Sequence, residues 1–199
     1  GWMNKADIFT IPTWVNDIFW YQIFPDRFNR SGKINRKETG YNHENWNEDV
    51  MYEPYNGLHC NDFYGGNFQG IIDKLPYLKE LNVGIIYLNP ICLSASSHRY
   101  NTSDYMKIDD LLGSEEDFIN LVNKAKEYDI SIILDGVYNH TGDDSIYFNK
   151  YHHFKGIGAF ESKDSIKNII SEYNETQKNN GLEENTIRYS DLVGILMSS

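Results

Sequence analysis

Asp135, Asn139, His140 and Thr141 lie at the end of the apolar run Ile130–Leu134, in the stretch ISIILDGVYNHTG. A carboxylate that accepts, an amide that donates and accepts, and an imidazole with one nitrogen of each kind can together grip hydroxyl groups. A second polar set lies upstream in SSHRYNTSDY, where His98, Arg99, Tyr100, Asp104 and Tyr105 crowd a segment with little apolar anchoring. Two readings stay open for that segment. It lines a polar pocket, or it is a solvated loop whose Asn and Asp side chains satisfy its own turns. Asp135 is open in the same way, because a carboxylate at a strand end commonly ties down neighbouring backbone.

Other chemistries find no pattern. His152 and His153 are adjacent and point in different directions, without a carboxylate or histidine at metal-helix spacing, so no metal site is expected there. FYGGNFQGI has glycines before a helix but lacks the Lys and Ser/Thr of a phosphate loop. There is no Gly-x-Ser-x-Gly elbow, and neither Cys60 nor Cys92 has a nucleophile's context or a partner pattern for a disulfide or metal cluster. The net charge of −11 and pI near 4.9 argue against nucleic acid or an anionic membrane as partner. A neutral ligand suits this charge better, and the 15 Tyr and 4 Trp offer rings with polar edges for stacking on it. No charged start followed by an apolar block opens the sequence, and no run approaches the ~18 apolar residues of a membrane span. The expectation is a soluble, cytoplasmic protein without cofactor.

Three apolar runs could position these residues. Ile18–Phe24 reads as a strand covered on both faces and closed by Pro25; Val83–Leu88 and Ile130–Leu134 read as two more. Between the first two, Ile71, Ile72, Leu75, Leu78 and Leu81 recur at helical spacing and predict one helix from about Gln69 to Asn82, weakened or bent at Pro76. Ser114 and Asp117 resemble a capping box opening a helix whose buried stripe is Phe118, Leu121, Val122 and Ala125. Strand, helix, strand, helix, strand is the pattern of a parallel α/β sheet. The loops leaving the carboxyl ends of the strands are long and polar, and the one from Asp26 to Asp62 is long enough to build a rim. A ligand site therefore belongs at those ends.

Taken together, FWYQIFPDRFNR, NDFYGGNFQGIIDKLPYLKELNVGIIYLNPI, SSHRYNTSDYMKID and ISIILDGVYNHTG, in this order, closely resemble the α-amylase family of retaining glycoside hydrolases. The DGVYNHTG form is similar to the cyclomaltodextrinase, neopullulanase and maltogenic amylase group, and the resemblance covers roughly residues 12–163. It implies a (β/α)8 TIM barrel with a domain inserted after the third strand, and α-glucan substrates such as cyclodextrins, pullulan and maltooligosaccharides. It also implies roles. Tyr100 is similar to the ring that stacks on the sugar at the cleavage subsite, and His140 to the imidazole that hydrogen-bonds that sugar's primary hydroxyl. Asp135 and Asn139 match positions that mainly hold the site together.

The resemblance also exposes gaps. The family's nucleophile, an Asp after the fourth strand, and its acid, a Glu after the fifth, have no counterpart, so no catalytic residue is assigned and no hydrolysis by the isolated chain is expected. Arg188 and Asp191 in TIRYSD are one residue too far apart for the nucleophile's motif. Only 57 residues follow Gly142, against about 250 for a whole barrel. The expected organisation is residues 12–142 as the first three strand–helix units of an incomplete barrel, 143–165 as the start of the inserted domain, and 166–199 as a divergent or disrupted tail, explained either by a truncated or frame-disrupted product or by natural divergence. Relatives often place calcium ligands in the loop after the first strand, where Arg30, Lys33, Arg36 and Lys37 stand here, so no calcium is expected at that position. The rival expectations are a non-catalytic glucan-binding fragment and a two-chain enzyme completed by a downstream chain.

Overall fold

The computed structural model describes residues 12, 15, 18–155 and 158–182, with backbone alone for 161–166, 168 and 169. The amino-terminal stretch, the TIRYSD segment and the apolar end LVGILM lie outside the described residues. The chain divides into two compact units, at Gly1–His140 and Thr141–Ser199.

In the first unit, strands β1 (Phe19–Ile23), β4 (Val83–Leu88) and β7 (Ser131–Leu134) form a parallel sheet in the order β1-β4-β7. The register pairs Ile86 with Tyr21 and with Ile132, and Leu88 with Ile23 and with Leu134. The expected strands are present, but the coverage expected for the first one is not. Phe19 and Trp20 are 64% and 51% exposed. The reason is position: among the described residues β1 pairs only with β4, so its outer edge has no neighbour. β4, in the middle, buries Val83, Ile85, Ile86 and Leu88.

The helix expected over 69–82 is two helices, α2 (Phe68–Asp73) and α3 (Leu75–Glu80), following the single turn α1 (Pro25–Phe28). Lys74, at φ −98° and ψ 0°, ends one and begins the other, and Pro76 sits in the first turn of the second. Its missing N–H would have had no helical partner at that position, so the ring starts a helix instead of bending one. Ile71, Leu75 and Leu78 still fall on one buried side with Phe68, Ile86, Leu88 and Leu121.

α4 (Glu115–Glu127) opens with a complete capping box. Ser114 Oγ accepts from Asp117 N at 3.1 Å, and the Asp117 carboxylate accepts from Ser114 N at 2.8 Å. Leu121 and Ala125 are fully buried, and Phe118 packs on the same core.

The loops between these elements carry structure that the hydrophobic pattern does not announce. SSHRYNTSDY forms the connection and runs into the second strand of an antiparallel ribbon, β5 (Cys92–Ser94) with β6 (Thr102–Ile108). Two-residue strands β2 (Tyr41–Asn42) and β3 (Asp62–Phe63) pair within the long loop after β1. That loop is fastened to the ribbon where Ser97 N and Oγ donate to Cys60 O, at 3.0 and 3.1 Å, and Lys37 Nζ to Ser94 O, at 3.0 Å. At its root, the buried His43 ring lies between Glu48 Oε2, at 2.8 Å, and Asp62 Oδ2, at 3.1 Å, and stacks on Tyr64.

The second unit holds a set of turns and the helix α5 (Ala159–Asn179), which runs across position 165. Asp143 is gripped by Lys150 Nζ and the Tyr151 hydroxyl, each at 2.8 Å. Both contacts hold its carboxyl below the usual carboxylate range, the lysine more strongly.

Candidate functional site

Asp135, Asn139 and His140 follow β7 at the carboxyl end of the parallel sheet, where side chains of the β5–β6 ribbon and its connection bond to them. Asp135 follows β7 directly, and its N–H donates to Leu88 O of the neighbouring strand at 3.0 Å. Its half-buried carboxylate binds the Tyr100 hydroxyl at 2.8 Å. The carboxylate thus ties down a side chain of the ribbon, 35 residues away in sequence, as well as lying at a strand end. Burial first, then this hydrogen bond, pushes the Tyr100 phenol up to about 12. The adjacent phenol of Tyr87 on β4 is raised in the same way, by burial first and then by Asp135.

Tyr100 is held from its backbone side too. Its N–H donates to His98 Nδ1 at 3.0 Å, and the two rings lie 5.9 Å apart at 32°. An Nδ1 that accepts from an amide carries no proton, so His98 is the neutral Nε2–H tautomer. Burial and the adjacent Arg99 lower its pKa, which keeps that tautomer neutral.

Asn139 and His140 are exposed. His140 Nδ1 lies 2.8 Å from Asn139 Oδ1. Since an amide oxygen can only accept, Nδ1 carries the proton, which leaves Nε2 as the nitrogen that can accept when the ring is its Nδ1–H tautomer. The loop carrying them is pinned by Tyr105, whose hydroxyl lies within hydrogen-bonding distance of Val137 O, at 2.5 Å, and of His140 O, and donates its one proton between them. The set can therefore offer a ring face, a hydroxyl-accepting nitrogen and two groups that fix their orientation.

Of the polar cluster in SSHRYNTSDY, Arg99 turns away from this group. It is buried with φ at +61°, donating to Asp109 Oδ2 at 2.7 Å and to Ser97 O at 2.8 Å. Sequence reading marked His98 and Tyr105 as polar neighbours without assigning what they do. The His98 clamp on Tyr100 is a local bond two residues back, whereas the Tyr105 contact with the His140 loop comes from β6, whose place in the ribbon TSDYMKI does not announce.

A parallel α/β sheet with polar residues gathered at its carboxyl ends defines the class of barrel and open-sheet enzymes that bind ligands at that end. Residues 22–184 match the alpha amylase catalytic domain, a stretch that continues past residue 163. The chain belongs to the α-amylase family, whose catalytic domain is a (β/α)8 barrel. An amylopullulanase of Thermoanaerobacterium thermosulfurigenes is 42% identical over 184 residues, 84% of this chain and 10% of that protein. A cyclomaltodextrinase of Thermoanaerobacter pseudethanolicus is 41% identical over 147 residues, 74% of this chain and 24% of that protein. Among solved structures, the cyclic α-maltosyl-(1→6)-maltose hydrolase of Arthrobacter globiformis superposes with a TM-score of 0.64 at 32% identity, over 76% of this chain and 32% of that one. The chain thus spans between a tenth and a quarter of the length of these curated relatives.

Proposed function

We propose that this chain supplies the sugar-gripping part of an α-glucan hydrolase, with the Tyr100 ring stacking on a glucose unit and His140 Nε2 accepting from that unit's primary hydroxyl. Asp135 and Asn139 serve by orientation, one through the Tyr100 hydroxyl and the other through His140 Nδ1. The observation that carries this reading is the Tyr100–Asp135 hydrogen bond, which joins the two chemistry-bearing loops of a chain that belongs to this family. The names of the relatives, amylopullulanase and cyclomaltodextrinase among them, support α-glucans as the substrate class.

Retaining hydrolysis needs two carboxyl groups about 5–5.5 Å apart, one attacking and one donating and recovering a proton. No pair in this chain is assigned that work, so the reading is binding without turnover by these 199 residues. Titration with maltotriose and with β-cyclodextrin, followed by calorimetry, tests it alongside an assay for released reducing ends. Saturable binding that falls about tenfold or more in Tyr100→Ala, with no hydrolysis, is the expected result; a tenfold loss corresponds to ~1.4 kcal/mol. Binding unaffected by Tyr100→Ala and His140→Ala together would sink the assignment. A separate chain completing the barrel is the alternative partner, and hydrolysis that appears only on mixing with such a chain would favour it.

A further inference from the structure

The loop after β1 is where the resembled group often holds calcium, and its donors here are committed in a way that does not fit a metal. Asn67, buried at the start of α2, has its amide oxygen between two backbone donors, Gly70 N at 2.7 Å and Ser31 N at 3.3 Å. Its Nδ2 donates to Ser31 O at 2.7 Å and Lys33 O at 3.3 Å. Donors on one side and acceptors on the other fix which way the amide faces. Close by, Arg30 gathers three more carbonyls, of His43 and Tyr64 at 3.1 Å and of Glu44 at 2.7 Å. Backbone bonds press the same loop against the helix start, with Asn67 N on Asn29 O at 3.2 Å and Asn29 Nδ2 on Gly70 O at 3.0 Å. The approach is so close that a Cβ on Gly66 or Gly70 would stand 2.1 Å from Pro25 O or 2.0 Å from Asn29 O.

Calcium takes six to eight oxygen ligands. Here the one side-chain oxygen of Asn67 is used by N–H groups, and the carbonyls of Ser31 and Lys33 already receive N–H bonds. We propose that Asn67 closes this loop in place of a metal ion, its NH2 group standing where a cation would collect the Ser31 and Lys33 carbonyls. The loop of this chain is then indifferent to calcium. Replacing the amide by a carboxylate would set an anionic oxygen against those two carbonyl oxygens, a repulsion that only a cation placed between them relieves.

Thermal unfolding of the chain and of Asn67→Asp, each in excess EDTA and in calcium chloride, tests this, with terbium as a luminescent calcium substitute excited through Trp46 and Tyr64. The unsubstituted chain is expected to melt at one temperature in both media and to give no saturable terbium signal that calcium displaces. Asn67→Asp is expected to melt about 4 °C lower or more in EDTA and to recover in calcium. A melting temperature of the unsubstituted chain that drops in EDTA and returns with calcium overturns the proposal, as does a terbium signal that Asn67→Ala abolishes. So does an Asn67→Asp variant as stable in EDTA as the parent. If that variant folds in neither medium, the unsubstituted chain's melting and terbium measurements decide the matter alone.

Discussion

Tyr100 and Asp135 join the two polar loops of the candidate site side chain to side chain, beside the Tyr105 hydroxyl's bonding to the backbone of the second loop, and the strength of the Tyr100–Asp135 contact is open to titration. A phenol whose pKa is raised in the folded state adds stability below pH 10, where it is protonated in both states. That contribution is lost as pH rises through about 12, where the folded-state phenol ionises. Asp135→Asn removes the carboxylate's part and leaves burial, the larger cause, in place. The last step of the tyrosinate absorbance titration is therefore expected to move down in Asp135→Asn without reaching 10, and to lose one phenol in Tyr100→Phe. An unshifted last step in both variants would show that Tyr100 is not the phenol held by Asp135. Arg99 and Asp109 make a sharper residue-scale case. Both are buried, at 1% and 2% exposure, and Arg99 Nη2 has no partner among the described residues. Asp109→Ala would strand a guanidinium in the interior and is expected to lower the unfolding free energy by about 3–5 kcal/mol, read from urea denaturation. Arg99→Met with Asp109→Leu removes both charges and is expected to lose much less. Asp135, Asn139 and His140 stood out in sequence because polar side chains follow an apolar run there. The inward turn of Arg99 was not, because nothing in its neighbours announces a left-handed backbone at a bulky residue.

Local signals that rest on neighbouring residues survived translation into structure better than those that need a distant partner. The capping box of α4 was readable because both its members lie three residues apart, and it makes a prediction with a sign. Hydrogen bonds from the Ser114 N–H and hydroxyl hold the Asp117 carboxyl below the usual carboxylate range. Its contribution is thus present above the pKa of an unfolded aspartate and is lost as pH falls through the lowered value. Ser114→Ala is expected to lower stability by about 1 kcal/mol at neutral pH, and the gap between the variant and the parent should narrow in acid. A gap that stays constant across that titration would show that the carboxylate plays no part. Pro76 was read correctly as a disturbance but with the wrong consequence. At the second position of α3 it fits the backbone it needs, and it restricts the unfolded chain. Pro76→Ala is therefore expected to destabilise by about 0.4–1 kcal/mol, where a proline straining a continuous helix would give the opposite sign in the same denaturation experiment. The ribbon β5–β6 and the short pair β2–β3 were not legible, because each depends on register with a strand whose own apolar content is low.

At the scale of the molecule, apolar content told which runs are strands and not which of their faces are covered. IFWYQIF reads as buried from composition, since Phe, Trp, Tyr and Ile suit a strand enclosed on both sides. Enclosure needs neighbours, and among the described residues β1 and β7 each have one. The cost falls on Phe19 and Trp20 at one edge and on Leu134, 45% exposed, at the other. Exposed apolar side chains beside unpaired strand edges promote pairing between copies. The net charge of −11 opposes that pairing near neutral pH, and the opposition fades as pH falls toward the pI of 4.9. Sedimentation velocity over a concentration series is thus expected to show self-association that strengthens between pH 7 and pH 5. Trp20→Lys with Leu134→Lys should weaken it several-fold. Because both side chains are already largely in water, each substitution should change the unfolding free energy by no more than about 0.5 kcal/mol. If the double variant associates as strongly as the parent, contact runs through some other surface. If it loses several kcal/mol of stability instead, these two side chains belong to a core that the sheet's open edges do not reveal.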